Sequence, residues 1–483
     1  MSDNAEVEKE VHPEVKKIVY KPRQWILAAL GILGMILIMA LTPHDIGLET
    51  EGIQAMAILW LMVMWWVSDM FKMAVPALVG IALFLVFKVQ PSSVVFSGYA
   101  NSTVLFMVFA FVIATGVTKT GLGKRIAYTV MAKSPPNFKA LLIIFALLSV
   151  ALGALIPSGN ARTVLLGTIG LMVLPVFGQN ENKLSNIGRN LFVTLGLTSY
   201  MGSNGFLTGV AAIILTVGLL QQASIPVTYF QWMIATLPFC LIVAFLIALF
   251  VPRVFKPEVA KLDGEAYKDF KSKMESLGPM SMEEKKLSIV VVLVVLLWII
   301  GDRLDLDYVT VGVAGGVILM LPLMNIVTTK DFASKITWDV IYFCGSCLTL
   351  GTVIVNTGVA DFLANLINPL MGSPSLLIFC LKIWLVATLI HFILPAAVSA
   401  FGTALPIVIA SSQVQGFSPI IPVVVFVLCY TGIVLVYEQP QAAISYSFRQ
   451  FNDSDIIKPG LFSITLWLIM TPVIVGYLSL LGY

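Results

Sequence analysis

The sequence predicts an all-α polytopic membrane protein, built as an inverted repeat with two re-entrant helical hairpins and two interrupted helices. Three observations carry that prediction. Hydrophobic residues make up 58% of the chain and charged ones 11%, and many windows hold roughly 18 or more apolar residues, enough for a helix to cross a bilayer. A polar, helix-breaking stretch, Ile156-Pro157-Ser158-Gly159-Asn160-Ala161-Arg162-Thr163, interrupts the apolar segment 138–177. The last third of the chain repeats the landmarks of the first.

Composition excludes other classes. The net charge of +3 is small, and no basic patch interleaved with aromatics points to nucleic acid. All five cysteines lie in apolar segments. Cys344 and Cys347 form a C-x-x-C inside one span, which is neither a disulfide framework nor a zinc site. There is no P-loop, no H-E-x-x-H and no serine with a base nearby in sequence, so an enzyme is not expected. The longest soluble loop is too short for a sensor's output domain.

Residues 1–23 are polar and end in Lys16, Lys17, Lys21 and Arg23, which predicts a cytoplasmic N-terminus. The first span, 24–42, is too long for a signal peptide. The loop holding His44, Asp45, Glu49 and Glu51 lacks Lys and Arg and reads as external. Spans at 52–68, 74–88 and 103–118 follow. A basic segment with Lys119, Lys124, Arg125, Lys133 and Lys139 reads as an amphipathic interfacial helix on the cytoplasmic side. The broken segment 138–177 leaves through Lys183 to Arg189, also basic. Charge does not distinguish two full crossings from re-entrance, and the polar tip favours re-entrance.

A long helix at 190–221 is expected to be interrupted at Gly202-Ser203-Asn204-Gly205, before a span at 229–251. Residues 252–287 read as a cytoplasmic loop forming a solvated pair of surface helices. Spans at 288–301 and 309–325 flank the acidic external turn 302–307, and Lys330 and Lys335 mark the cytoplasm again. Next come a span at 337–356, a second hairpin at 375–412 broken at 395–403, an interrupted helix at 418–448 and a terminal span at 460–482. These crossings leave the C-terminus external.

Thr357-Gly358 answers Thr120-Gly121, Ser373-Pro374 answers Ser134-Pro135, and Pro395 answers Pro157, each about 238 residues on. Asn356 to Pro374 carries no Lys or Arg, whereas its counterpart carries several. The two copies therefore face opposite sides, the arrangement of secondary transporters that hold substrate near the midplane.

Arg162 is the one basic residue between Lys139 and Lys183, where an unpaired cation costs on the order of 3 kcal/mol. Its partner is either a carboxylate elsewhere, such as Glu438, or an anionic substrate, which a guanidinium grips bidentately. Ser158 and Asn160 offer neutral hydrogen-bonding groups or plain helix caps. His391 is either a satisfied core histidine or a pH-sensitive charge partner. Ser399, Gly402 and Thr403 supply the second tip, and helix N-termini after each break would suit a molecule with two carboxylates. Gly202, Ser203, Asn204, Glu438 and Pro440 line the site or mark packing kinks.

Pro-Ser-Gly-Asn-Ala-Arg at 157–162, Ser-Ala-Phe-Gly-Thr-Ala-Leu at 399–405 and the preceding His391-Phe392 resemble the divalent anion/sodium symporter family of INDY-type dicarboxylate transporters, over nearly the whole chain from residue 24. The resemblance implies an elevator-type homodimer, with scaffold helices at 24–118 and 288–356. The mostly transport-domain parts are then 119–251 and 357–483, and the cytoplasmic loop 252–287 separates the two repeats. It implies substrate contacts from Ser158, Gly159, Asn160, Ser399, Gly402 and Thr403. The family's Ser-Asn-Thr tip keeps its Ser at Ser158, while Gly159 and Asn160 replace the rest; at the second tip Phe401 and Gly402 replace the first two residues and Thr403 keeps the last. Ala161-Arg162 instead resembles the branch that exchanges dicarboxylates. Arg162 and His391 then compensate charge, with no cofactor or metal. The expected function is exchange of dicarboxylates (succinate, malate, fumarate and 2-oxoglutarate class) across the cytoplasmic membrane, independent of Na+. The alternative is a Na+-coupled dicarboxylate or citrate symporter.

Overall fold

Helices fill a computed structural model of the chain that describes residues 20–43, 47–156, 158–261 and 264–483. Lys16, Lys17, His44, Asp45 and Pro157 lie outside the described residues, and with them most of the expected cytoplasmic N-terminal segment. Among the described residues nine helices are long and apolar enough to cross a membrane.

The first half begins with α1 (Pro22–Leu41), α2 (Thr50–Ser68), α3 (Ala74–Val86) and α4 (Ser92–Val95), then α5 (Ser102–Thr120). Asn101 starts α5 by accepting from Thr103 N at 2.8 Å. Gly121 ends it at φ +80, a left-handed turn that costs glycine nothing, and α6 (Leu122–Ala132) follows. The first hairpin is α7 (Phe138–Ala151) and α8 (Gly159–Val173), the first interrupted helix α9 (Asn186–Asn204) and α10 (Ala211–Gln222), and α11 (Tyr229–Val254) closes the half.

After α12 (Gly264–Glu275), the order repeats as α13 (Met282–Ile300), α14 (Tyr308–Met320), α15 (Thr329–Lys335), α16 (Trp338–Asn356) and α17 (Val359–Met371). The second hairpin is α18 (Leu376–Ile393) and α19 (Ala397–Val414), the second interrupted helix α20 (Ile420–Cys429) and α21 (Pro440–Ser447), and α22 (Ile457–Leu480) ends the chain. Gly358, at φ +74, repeats Gly121. The repeat expected from spacing is thus an element-by-element one, α2–α11 against α13–α22.

Packing interlocks the two halves. α3 lies on α16 while α14 lies on α5; α7 packs on α9 and α11 while α18 packs on α20 and α22; α11 and α22 meet each other. α8 continues through the short turn Pro175–Phe177, and together they make one of the nine helices long enough to cross. Both hairpins turn back where the sequence places its polar breaks.

Three boundaries differ from the sequence reading. The first interrupted helix runs on to Asn204 and breaks at 205–210, because Gly202 is where α9 meets α7: a Cβ there would lie 2.5 Å from Ser149 O. The second hairpin breaks only at 394–396, so Ser399, Gly402 and Thr403 sit inside α19. The segment 252–287 holds one helix, α12, plus the first turn of α13, and it is not a solvated pair. Phe270 is buried and α12 packs on α6, which a charge count does not reveal.

Candidate binding site at the hairpin tips and helix breaks

Backbone freed by a helix break in an apolar medium must find partners inside the protein. At the first tip Ser158 caps α8, its hydroxyl accepting from Ala161 N at 3.2 Å. Ser158 and Asn160 are exposed and Gly159 is buried. Gly159 has no space for a side chain, since a Cβ would lie 2.5 Å from Gln441 Nε2. That amide donates to Asn160 Oδ1 at 3.0 Å. The tip of one repeat therefore rests on the interrupted helix of the other.

Arg162 is fully buried, yet it forms none of the four ion pairs among the described residues. Nη1 donates to Ile156 O at 2.5 Å and Gly209 O at 3.3 Å, and Nη2 to Ser199 O at 3.1 Å and to Ser203 Oγ. Three carbonyls and a hydroxyl thus converge on the guanidinium from the tip and from the end and break of the first interrupted helix. The predicted alternative of a pair with Glu438 is not what forms. Glu438 Oε2 accepts Val434 N at 2.8 Å, capping its own turn.

His391, 1% exposed, lies near the end of α18, the first arm of the second hairpin, against the break of the second interrupted helix. Nδ1 is 3.2 Å from Gly432 O and Nε2 is 3.1 Å from Glu438 O, with Gln439 Nε2 3.0 Å from the same ring nitrogen. A neutral ring donates to one carbonyl and accepts from the amide; a protonated ring donates to both carbonyls. The imidazole also stacks on Tyr430, centroids 4.1 Å apart.

The remaining candidates divide. Asn204 Nδ2 donates to Val427 O at 2.8 Å, joining the two interrupted helices, and Ser203 serves Arg162. Thr403 spends its hydroxyl on Ser399 O at 2.9 Å. Gly402 faces α16, where a Cβ would lie 2.6 Å from Cys347 Sγ. Pro440 is exposed at the first position of α21, where it needs no N–H partner. Gln441 and Gln439 were missed, although a pair of glutamines around a proline in an apolar stretch was a readable signal. Ser199, whose hydroxyl lies 2.6 Å from Thr163 Oγ1, had none.

Buried polar atoms are nearly always hydrogen-bonded. Arg162 Nε, Tyr200 Oη, Asn204 Oδ1, Glu438 Oε1 and Gln441 Oε1 have no protein partner, which leaves spare capacity for a polar guest around the breaks. Access is one-sided. A cavity of about 360 Å³ reaches Ile156 and Ser158 from between α5 and α15, whereas α19 packs on α16 and α17 and keeps Ser399, Gly402 and Thr403 buried. A larger cavity of about 720 Å³, by Trp298 and Asp305–Asp307, holds none of the candidate residues. Among the described residues no group of three or more His, Cys, Asp or Glu is placed to hold a metal.

Residues 23–483 match the family described as "Sodium:sulfate symporter transmembrane region". A "Membrane protein" of Cupriavidus necator is 25% identical over 455 residues, 89% of this chain and 88% of that one. An "L-tartrate/succinate antiporter" of Escherichia coli is 26% identical over 427 residues, 83% of this chain and 85% of that one. Among solved structures, the YdaH transporter of Alcanivorax borkumensis superposes with a TM-score of 0.54 at 12% identity, covering 82% of this chain and 89% of that chain; at that identity the likeness concerns the fold alone.

Proposed function

The chain belongs to the sodium:sulfate symporter transmembrane family, and from that premise we propose that it is a secondary transporter exchanging dicarboxylates across the cytoplasmic membrane, without Na+, by an elevator motion. The carrying observation is Arg162, a fully buried cation held by three carbonyls and a hydroxyl and by no carboxylate. Carbonyl oxygens converging on one point are what a metal cation needs. Here the chain supplies the cation itself, so no Na+ is required at that point.

Exchange follows from the same charge. A fixed cation cannot leave with the substrate, so the unloaded site carries unbalanced positive charge, and moving it through a low-dielectric barrier is unfavourable. A dianion near Ser158, Asn160 and Gln441 offsets that charge and lets the loaded protein move. His391, once protonated, adds to the compensation. The similarity to an antiporter named for tartrate and succinate supports the four-carbon diacids, malate and fumarate among them, as the substrate class; 2-oxoglutarate extends it by one carbon.

The elevator reading rests on the family resemblance. In it, the hairpins, interrupted helices, α11 and α22 move against α2–α5 and α13–α16, and Ser399 takes the exposure that Ser158 has here. The resemblance adds a homodimer, which cross-linking in membranes tests.

The test is uptake of labelled succinate, tartrate and 2-oxoglutarate into proteoliposomes, empty or preloaded with unlabelled diacid, with and without a Na+ gradient. Uptake only into preloaded vesicles, indifferent to Na+, is expected. Na+-driven accumulation in empty vesicles would replace this reading with the symporter one.

A further inference from the structure

The cavity in front of the first tip has a charged wall that the binding residues do not account for. Its volume, about 360 Å³, falls among small-molecule clefts. Beyond Ile156 and Ser158 it is lined by Thr115, Thr118 and Lys119 of α5 and by Asp331 and Lys335 of α15. Lys119 Nζ lies 2.7 Å from Asp331 Oδ2, and the same carboxylate oxygen accepts from Thr328 N at 3.0 Å and the Thr328 hydroxyl at 2.8 Å. Lys335 is exposed and belongs to none of the ion pairs among the described residues. Two lysines against one carboxylate leave the mouth net positive.

The repeat supplies an internal control. Lys119, next to last in α5, corresponds to Asn356, the last residue of α16. The cavity beside Asn356, about 330 Å³, reaches no residue of the second tip and is lined by Asp361 and by no Lys or Arg. A lysine at this helix end therefore belongs to the first repeat alone.

We propose that Lys119 and Lys335 form an anion-gathering vestibule, which concentrates the dicarboxylate in front of the first hairpin on one face of the protein. The proposal rests on the transport reading above for the identity of the anion. Long-range attraction of this kind speeds encounter and weakens with salt. Lys335 is the informative residue, because Lys119 also anchors α15.

A reporter thiol separates the vestibule from transport. Thr118→Cys places a thiol on the cavity wall, and the five native cysteines are buried. Its reaction rates with an anionic and a cationic methanethiosulfonate of similar size are compared in the purified protein at low salt. The anionic-to-cationic ratio is expected to fall by about threefold or more on adding Lys335→Gln, to hold with Lys335→Arg, and to lose this dependence in about 0.5 M KCl. A ratio indifferent to Lys335→Gln overturns the vestibule.

In exchange assays Lys335→Gln should raise KM for succinate offered to the lysine-bearing face, with kcat and the opposite face unchanged. A responsive ratio with an unmoved KM overturns the substrate-gathering role. Absence of any dicarboxylate exchange by the wild-type protein, with the ratio still responsive, sinks the transport reading and leaves an anion vestibule standing.

Discussion

The side-chain amide of Gln441 donates to Asn160 Oδ1 at 3.0 Å, tying the first hairpin tip to the helix that resumes after the break in the other repeat. The same amide fills the space that a side chain at position 159 would need. With the Asn204–Val427 hydrogen bond, it sets the two halves of the site against each other.

Gln441→Leu should therefore raise KM for succinate exchange, because it removes the donor that fixes Asn160 at the tip. Gly159→Ala should move KM the same way, because its methyl displaces the amide. Counterflow kinetics with both variants check this, and an unchanged KM in both would remove this contact from the site.

Arg162→Gln should relax strict exchange, so that residual uptake appears in empty vesicles. Arg162→Lys keeps the charge and should keep the requirement for internal substrate at a reduced rate. Both variants should melt earlier, since they strip donors from buried carbonyls at about 1–3 kcal/mol each. Strict exchange surviving in Arg162→Gln would separate the guanidinium from coupling.

Gly402 and Cys347 test movement. A Cβ at 402 would lie 3.1 Å from Cys347 Cβ, a little inside the usual disulfide separation of about 3.5–4.5 Å. If α19 slides against α16, oxidising Gly402→Cys should stop exchange and dithiothreitol should restore it. Cross-linking without loss of exchange would mean that the two helices do not part.

Asp331 sets a pH limit on the vestibule wall. The Lys119 ammonium, followed by the Thr328 N–H and hydroxyl, holds its carboxyl well below the usual carboxylate range. A depressed value contributes stability that is fully present above the unfolded carboxylate value of about 3.9 and is lost as pH falls toward the folded one. The melting temperature of Asp331→Asn should thus lie below wild type by a constant margin from about pH 5 to 8, and the margin should shrink below about pH 4. A margin that grows on acidification contradicts this assignment.

The sequence reading reached the hairpins because Pro157, Gly159 and Arg162 stand out against apolar neighbours, and it reached the repeat because Gly121 and Gly358 recur. It placed the second tip too broadly. Ser399, Gly402 and Thr403 after Pro395 pass for a loop in the sequence, and only the fold shows that the helix already runs there. It misplaced the first interruption for a related reason, since Gly202 looks like a breaker but serves as the seat for the α7 backbone. The alternative of an Arg162–Glu438 pair failed because three carbonyls, invisible in a sequence, and the Ser203 hydroxyl engage both terminal nitrogens of the guanidinium.

Composition, period and charge asymmetry by themselves determined the all-helical membrane class, the positions of most spans and the duplication. These are properties of a chain against a solvent, fixed by transfer free energy and by the need to pair every backbone group in lipid. The tertiary structure alone decided which groups meet at the site: Gln441 with Asn160, Arg162 with Gly209 and Ser199, and Ser158 with the lysine-bearing cavity. Those pairings join residues apart in sequence, and they depend on how hairpin, interrupted helix and opposite repeat come together rather than on any local preference.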